Sequence, residues 1–317
     1  MQTTAGPSPT SDKPAPSVDG YGAGEGICPL CNVPLAGRFD GIRDLVTGEN
    51  FSIIACPQCA LGVTAPRVTD LARYYGTQYW GGRHSFTAEY CARRRMRMLG
   101  GAATLPAGGR VLDFGCGDGT FLRHTSKAGW ASFGVEASFR PEQATEGYEV
   151  FNSLDAIRGR GPFDAITLWH VLEHLTDPLA VIRELAGLLA PGGVLVIGVP
   201  DAGGVQARTL GADWMHLDVP RHLYHFGRAS LERLLSLASL SPFRWWNHEI
   251  EYDLMGWSQS ALAKAGMPGA FFDAVTGRIP FGARWTAAMV CGAAVSAATL
   301  PLALKWGSSI TVAARRG

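Results

Sequence analysis

The sequence lacks an excess of either charge. Its 28 lysines and arginines nearly balance its 27 aspartates and glutamates, which gives a formal net charge of +1. A protein dedicated to nucleic acid usually attracts phosphate groups through a surplus of basic residues. The charge totals therefore disfavour nucleic acid as a partner.

The N-terminus also lacks the pattern of a secretory signal, in which basic residues precede an apolar stretch. Residues 1–25 are instead rich in Pro, Gly, Ser and Thr, and this composition buries too little apolar surface to order itself. We predict a disordered tail over residues 1–25 and a cytoplasmic protein. In such a reducing compartment, the seven cysteines hold metal more often than they form disulfides.

Four of the cysteines form two CxxC pairs. Cys28 and Cys31 make the first pair, and Cys56 and Cys59 make the second. The short spacing lets both sulfurs of a pair face one ion, and the segment between the pairs is typical of a β-hairpin with a turn at residues 47–50. A redox CxxC would instead be single and lie at a helix start. The sequence therefore predicts a zinc ribbon over residues 26–64, with a structural Zn²⁺ on the four thiolates.

After a helical linker predicted over residues 65–100, apolar strands and helices alternate. The predicted strands lie at residues 111–114, 132–135, 149–152, 165–169 and 194–199. This alternation is typical of a parallel sheet with helices on both faces. The clearest helix has Asp177 as its cap and Pro178 at its first position. We predict an α/β, Rossmann-like domain over residues 101–317, with a helical insertion before its last strand near residues 308–314.

A glycine-rich turn follows the first of these strands. Gly115, Gly117 and Gly119 let the backbone approach a ligand closely and expose N–H groups to it. A dinucleotide-binding fingerprint has a third Gly or Ala one position later, where this chain has Thr120. The spacing therefore disfavours NAD and FAD. Glu136, at the end of the second strand, suits the ribose hydroxyls of either kind of cofactor and does not discriminate.

Four segments, taken in order, resemble the class I S-adenosylmethionine (SAM)-dependent methyltransferases. They are VLDFGCGDG from Val111, VEAS from Val135, FDAITLWHVLEHLTDP from Phe163 and LAPGGVLVIGVP from Leu189. A later segment, DWMHLDVPRHLYHFGRASLERLL, resembles bacterial methyltransferases of small-molecule and saccharide biosynthesis, some of which also carry an N-terminal zinc ribbon. The resemblance covers the core of the predicted α/β domain.

The resemblance implies a set of cofactor-binding residues. The methionine part of SAM would lie among Asp113, Gly115, Cys116 and Gly117. Glu136 would bind the ribose. Near the adenine and beside the cofactor we expect Ser153, Leu154 and Trp169.

Methyl transfer from a sulfonium is an in-line displacement, to which an enzyme contributes alignment and a correctly ionised nucleophile. An acceptor that holds its proton, such as a hydroxyl or an acidic carbon, needs a general base. We rank His170 first, His222 second and Glu173 third, because ligands of open α/β sheets bind at the carboxyl ends of strands. The alternative is that these histidines only pack or form local hydrogen bonds.

Twenty uncharged residues separate Arg284 from Lys305, a length that could span a bilayer. The run is mostly small residues and contains Pro301, and the strand after it has to return to the sheet. We therefore predict a helical pair over residues 254–305 that forms a hydrophobic roof or lies shallowly on a membrane. A lipid-linked acceptor would explain such a surface.

The leading hypothesis is SAM-dependent methyl transfer to oxygen or carbon of a small-molecule, saccharide or lipid-linked acceptor. One alternative is an rRNA methyltransferase whose ribbon grips RNA, which the balanced charge and the apolar insertion disfavour. The other is a non-catalytic SAM-binding module, which the intact Gly115, Gly117 and Glu136 disfavour. The sequence does not predict the oligomeric state.

Overall fold

The computed structural model describes residues 26–44, 46–75, 88–104, 106–138, 147–266 and 282–317. The tail predicted over residues 1–25 lies outside the described residues, as does the connection over residues 267–281.

Eleven strands and eight helices form the described part of the chain. The strands are β1 (Ala36–Arg43), β2 (Asn50–Ala55), β3 (Gly62–Ala65), β4 (Arg110–Phe114), β5 (Ala131–Val135), β6 (Tyr148–Phe151), β7 (Phe163–Trp169), β8 (Leu189–Pro200), β9 (Tyr224–His225), β10 (Leu240–Trp246) and β11 (Ser309–Arg316). The helices are α1 (Ala88–Ala102), α2 (Thr120–Lys127), α3 (Leu154–Ile157), α4 (Pro178–Gly187), α5 (Val205–Leu210), α6 (Arg228–Leu237), α7 (Ile250–Lys264) and α8 (Ala283–Lys305).

The larger sheet has seven strands in the order β10-β11-β8-β7-β4-β5-β6. Strands β8, β7, β4, β5 and β6 are parallel, and β11 is antiparallel to both of its neighbours. The central strands β7 and β8 are almost continuously buried, as expected for parallel strands covered by helices on both faces. The predicted α/β fold class is confirmed, including the helical insertion before the last strand.

Helix α4 begins as the sequence predicts. Asp177 Oδ1 accepts a hydrogen bond from the Ala180 N–H at 2.9 Å, and Pro178 is the first helical residue. The cap satisfies an N–H that has no partner within the helix, and proline loses nothing at this position because its missing N–H is not needed there.

Helix α1 lies in the segment that the sequence predicts as a helical linker, and it packs on the larger sheet. Met98, Leu99 and Ala102 are buried in one hydrophobic cluster with Val111 and Phe121. This contact places α1 and its buried Arg94 against the α/β core.

The smaller sheet joins the ribbon to the rest of the chain. It has the antiparallel order β1-β2-β3-β9, and its fourth strand comes from the segment PRHLYHF. Gly62 pairs with His225 and Val63 with Tyr224. The ribbon is therefore hydrogen-bonded directly to the histidine-rich segment.

Helices α7 and α8 form the insertion. The buried residues of α8 are the small Ala288, Gly292 and Ala303, and the hydroxyls of Ser258 on α7 and Ser296 on α8 lie 2.6 Å apart. Larger apolar side chains of α8 point outward: the exposed fractions of Val290, Leu300 and Leu304 are 62%, 40% and 62%. The small residues of α8 thus face α7. The larger apolar side chains form a surface that the described residues do not cover.

A buried ion pair connects the ribbon to the segment before β9. Arg221 Nη1 donates to Asp44 Oδ1 at 2.8 Å, and Arg221 Nη2 donates to Asp218 Oδ1 at 2.7 Å. Arg221 is 4% exposed and Asp44 is 1% exposed. Arg221 also donates to the Tyr74 carbonyl at 3.0 Å, so the guanidinium is held from three segments of the chain.

We expect Asp44→Asn to lower the free energy of unfolding by about 3 kcal/mol, because a buried arginine loses one of its two carboxylate partners. Denaturant unfolding of the zinc-loaded protein measures the change. The control is Glu232→Gln, which removes an exposed carboxylate paired with Arg228 within α6 and should cost less than about 1 kcal/mol. Equal losses in the two variants would contradict a structural role for the buried pair.

Candidate functional site

The glycine turn lies between β4 and α2, at the carboxyl edge of the larger sheet. Gly115, Gly117 and Gly119 have φ angles of +79°, +54° and +72°, values that are unfavourable for residues with a Cβ. A Cβ on Gly115 would lie 2.3 Å from a methyl group of Val171, whereas a Cβ on Gly117 would meet nothing within 4 Å. Gly115 therefore permits loop packing, while the space beside Gly117 is open.

Two carboxylates flank this turn. Asp113 is buried and its Oδ1 accepts a hydrogen bond from the Thr167 hydroxyl at 2.6 Å. Burial raises the pKa of Asp113 to about 6, against the opposing effect of that hydrogen bond. Glu136 Oε2 accepts from the Gly117 N–H at 3.1 Å, and its Oε1 accepts from the Ser138 N–H at 3.0 Å.

The other residues predicted around the cofactor take different positions. Cys116 is buried in the turn, and burial raises the pKa of its thiol. Ser153 caps α3 by accepting from the Ala156 N–H, and Leu154 is the first residue of that helix. Trp169 is buried in the hydrophobic cluster beneath the sheet edge, and its indole N–H has no hydrogen-bond partner within the described residues.

A second group of polar residues lies around the loop after β7 and includes residues from later in the chain. It contains five histidines, which are His170, His174, His216, His222 and His225. The three residues ranked as bases, His170, Glu173 and His222, come together there.

His170 lies between two carboxylates. Its Nε2 is 2.8 Å from Glu249 Oε2, and its Nδ1 is 3.6 Å from Glu173 Oε1. The ring stacks on Tyr252 with a centroid distance of 4.3 Å. Burial alone would lower the pKa of His170, but the charges of Glu249 and Glu173 and the hydrogen bond with Glu249 raise it to about 9.

Glu173 is only 1% exposed, and neither of its carboxylate oxygens has a hydrogen-bond partner among the described residues. The nearest nitrogens are those of His170 at 3.6 Å and His222 at 3.9 Å. Burial raises the pKa of Glu173, but the nearby imidazoles outweigh it and the net change is downward. A buried carboxylate with free acceptor positions is typical of a binding or catalytic site.

His222 is neutral and oriented by the backbone. Its Nδ1 donates to the His216 carbonyl at 2.8 Å, which leaves Nε2 as the proton-accepting nitrogen. Burial, with a smaller contribution from His174, lowers the pKa of His222 to about 4. At neutral pH this ring can accept a proton or a hydrogen bond at Nε2.

The ribbon holds this histidine-rich segment in place. The Thr64 hydroxyl on β3 donates to the His222 carbonyl at 2.6 Å and lies 2.9 Å from His225 Nε2. The Thr64 N–H donates to the Leu223 carbonyl, and the Leu223 N–H donates to the Glu173 carbonyl. Backbone hydrogen bonds therefore run from the ribbon to the loop after β7.

Sequence reasoning missed Glu249, Glu251 and Arg94. Arg94 on α1 is 2.8 Å from Glu249 and 2.9 Å from Glu251. Arg94 belongs to a run of four arginines, Arg93, Arg94, Arg95 and Arg97. Such a run on a helix usually indicates a solvated face, but Arg94 is only 7% exposed. No sequence motif marks these three residues. The only signal in the sequence is that Arg94 falls on the apolar face of α1.

The four ribbon cysteines converge at one point. Their sulfur atoms all lie within 4.8 Å of one another, and those of Cys28 and Cys59 are 3.8 Å apart. Four sulfurs at about 2.3 Å from a tetrahedral zinc are separated by about 3.8 Å. After each CxxC pair, Asn32 and Ala60 take matching positive φ angles of 55° and 58°, so the two turns have the same shape. The cluster could hold one Zn²⁺.

Comparison with known proteins gives a family match over the larger domain. A family model described as "Methyltransferase domain" matches residues 83–241. A ubiquinone biosynthesis O-methyltransferase of Xanthomonas axonopodis pv. citri (strain 306) is 29% identical over 134 residues, which cover 38% of this chain and 56% of the relative. One of the same name from Escherichia coli (strain SMS-3-5 / SECEC) is 24% identical over 189 residues, which cover 55% of this chain and 71% of the relative.

Solved structures also align with the chain. A putative sarcosine dimethylglycine methyltransferase from Galdieria sulphuraria has a TM-score of 0.47 and 16% identity, covering 74% of this chain and 86% of that one. Coclaurine N-methyltransferase bound to N-methylheliamine and SAH has a TM-score of 0.45 and 13% identity, covering 76% of each chain.

Proposed function

The chain belongs to the methyltransferase-domain family, and from this premise we propose that it transfers a methyl group from SAM to a small-molecule acceptor. The observation that carries the proposal is the glycine turn at the carboxyl edge of the sheet, with open space beside Gly117 and the Glu136 carboxylate against it. The order of the sheet strands supports the same function.

The residues around the turn fit SAM. Bound SAM supplies a methyl group activated by a positively charged sulfur. The N–H groups of Gly115 and Cys116 donate to the Val135 carbonyl, and the Gly117 N–H donates to Glu136. What the turn offers a ligand is therefore close approach to the backbone beside Gly117, and Glu136 would offer its carboxylate oxygens to ribose hydroxyls. Asp113 lies on β4 just before the turn, and its carboxylate accepts from the Thr167 hydroxyl of the neighbouring strand β7. Ser153, Leu154 and Trp169 remain predicted neighbours of the cofactor.

The acceptor side lies among the residues that follow β7 and precede β9. We propose a hydroxyl or acidic carbon as the methylated group, and the names of the relatives as O-methyltransferases favour oxygen. The apolar surface of α8 that the described residues leave uncovered supports a lipid-linked or otherwise apolar acceptor; a saccharide is the more polar alternative. His170, His222 and Glu173 are the candidate bases.

The ribbon is proposed to bind one structural Zn²⁺ through Cys28, Cys31, Cys56 and Cys59. The separation of the Cys28 and Cys59 sulfurs supports tetrahedral coordination, and the paired turns present all four sulfurs to one point. Because β3 pairs with β9, a metal that orders the ribbon would also order the histidine-rich segment.

We propose a cytoplasmic protein that touches a membrane shallowly through the α7–α8 pair. Helix α8 is long and apolar enough to cross a bilayer, with a mean hydropathy of 1.8 over its best window, and only 17% of that window is buried. However, β10 and β11 pair with each other on either side of the insertion. This pairing favours a helix that lies on the membrane over one that crosses it.

S-adenosylhomocysteine is expected to bind the zinc-loaded protein in calorimetric titration, while NADH is not. Gly117→Ala should weaken the binding at least about tenfold, because its Cβ enters the open space and adds strain of about 1–2 kcal/mol. The matched control is Gly129→Ala, which has a φ of +85° and equally free surroundings but lies away from the turn. Failure of the folded wild-type protein to bind would favour the non-catalytic interaction module.

Metal analysis should find one zinc per chain. Cys59→Ser should lose the metal and lower the melting temperature, because a Cys₄ site contributes directly to folding. Cys291→Ser, which removes a thiol on α8 outside the cluster, should retain both properties. Zinc retained in full by Cys59→Ser would contradict coordination by the ribbon.

The protein should sediment with phosphatidylcholine vesicles, and Val290→Glu should reduce the bound fraction severalfold because a charge would enter the apolar surface. Val46→Glu is the control, since Val46 is also exposed, at 42%, but lies in the ribbon. Equal binding by both variants would show that α8 is not the contact surface.

A further inference from the structure

Five charged groups form a buried charge cluster on the acceptor side of the sheet. They are Arg94, His170, Glu173, Glu249 and Glu251, and none has a side chain more than 13% exposed. Ions this deeply buried are costly unless each meets an opposite charge, so their pairing constrains their protonation.

Each ring nitrogen of His170 faces a carboxylate oxygen. Nε2 meets Glu249 at hydrogen-bond distance, 2.8 Å, and Nδ1 meets Glu173 at 3.6 Å. A neutral imidazole has only one N–H, so either tautomer would direct a lone pair at a negative charge. With both carboxylates ionised, the geometry therefore favours a proton on both nitrogens.

The backbone of His170 is also constrained. Its φ is +56°, a value uncommon for a residue with a Cβ, and such strain tends to persist where surrounding contacts fix a functional side chain. The His170 N–H donates to the Gly198 carbonyl of β8 at 2.8 Å. Strand β8 thus holds the backbone of His170, while Glu249 and Tyr252 at the start of α7 hold its ring.

The charged and titratable groups around His170 come from four parts of the fold. Helix α7 contributes Tyr252 and, at its start, Glu249 and Glu251; α1 contributes Arg94; the loop after β7 contributes Glu173; and the turn before β9 contributes His216. Burial, with His170 as one further cause, lowers the pKa of His216 to about 4. The neutral His216 therefore does not compete for the two carboxylates.

We propose that Glu249 is a positioning residue that fixes His170 as a permanent imidazolium, so that His170 orients Glu173 and is not the general base. Arg94 in turn holds Glu249 and Glu251 in place. This role rests on the proposed function, since it concerns the site of methyl transfer. The charge state of His170 can be measured independently of any transfer.

The arrangement leaves one negative charge in excess. Arg94 and His170 provide two positive charges against three carboxylates, and Glu173 is the carboxylate without a hydrogen bond in the described structure. Its free oxygens can accept a hydrogen bond from the acceptor. Glu173 and the neutral His222 therefore remain as the proton-accepting groups.

The test is an NMR titration of full-length, zinc-loaded protein with isotope-labelled histidine, with the His170 signal assigned from the spectrum of His170→Gln. The wild-type ring should remain protonated through neutral pH and titrate near pH 9. In Glu249→Gln the pKa should fall below about 7, because burial would no longer be opposed by the nearer carboxylate.

Glu251→Gln is the matched control. It also removes a carboxylate from Arg94 but does not touch His170, so the pKa of His170 should change by less than about one unit. A wild-type pKa near 6.5 would overturn the proposal, as would equal shifts in the two variants. Wild-type titration alone decides the question if Glu249→Gln fails to fold.

Binding of S-adenosylhomocysteine separates this proposal from the proposed function. Folded Glu249→Gln should bind it within about twofold of wild type, since Glu249 lies on the acceptor side. Absence of binding in wild type would contradict the proposed function while the His170 titration still tested the charge state.

Discussion

The buried charge of Arg221 fixes the ribbon against the site, and the positions of the acceptor-side histidines depend on it. Arg221 is paired with Asp44 of the ribbon and with Asp218 beside it, while its carbonyl accepts from His174 at 2.9 Å. Because an arginine without partners is costly in a protein interior, the ribbon and the segment before β9 have to remain together. The ribbon therefore packs directly against the segment that carries His222 and His225.

Much of the larger sheet could be predicted because its signals are local. The apolar strands, the cap at Asp177 and the glycine turn each follow from a few adjacent residues, and the order of the motifs supplied the topology. The smaller sheet was predicted only in part. Strand β9 is two residues long, too short for a periodic pattern, and its pairing with β3 depends on a contact between segments about 160 residues apart.

In the candidate site, too, residues near local motifs could be predicted, whereas residues placed by contacts between distant segments could not. His170, Glu173 and His222 could be selected because they lie near motifs at the ends of strands. Glu249 could not, since its partner Arg94 lies 155 residues earlier and neither belongs to a recognisable pattern. The hydrophobic spacing of α1 could indicate which arginine faces inward, but not which carboxylates it meets there.

The protonation of each histidine depends on the balance between burial and nearby charge, which residue type alone does not determine. Burial removes water from His216, His222 and His225 and favours their neutral forms, with pKa values of about 4, 4 and 3. His170 is buried as well, but a carboxylate at 2.8 Å reverses the outcome. A cationic His170 beside neutral His216 and His222 follows from that pairing, and positive charge on Arg94 and His170 then faces the Glu173 carboxylate, which has no hydrogen-bond partner among the described residues.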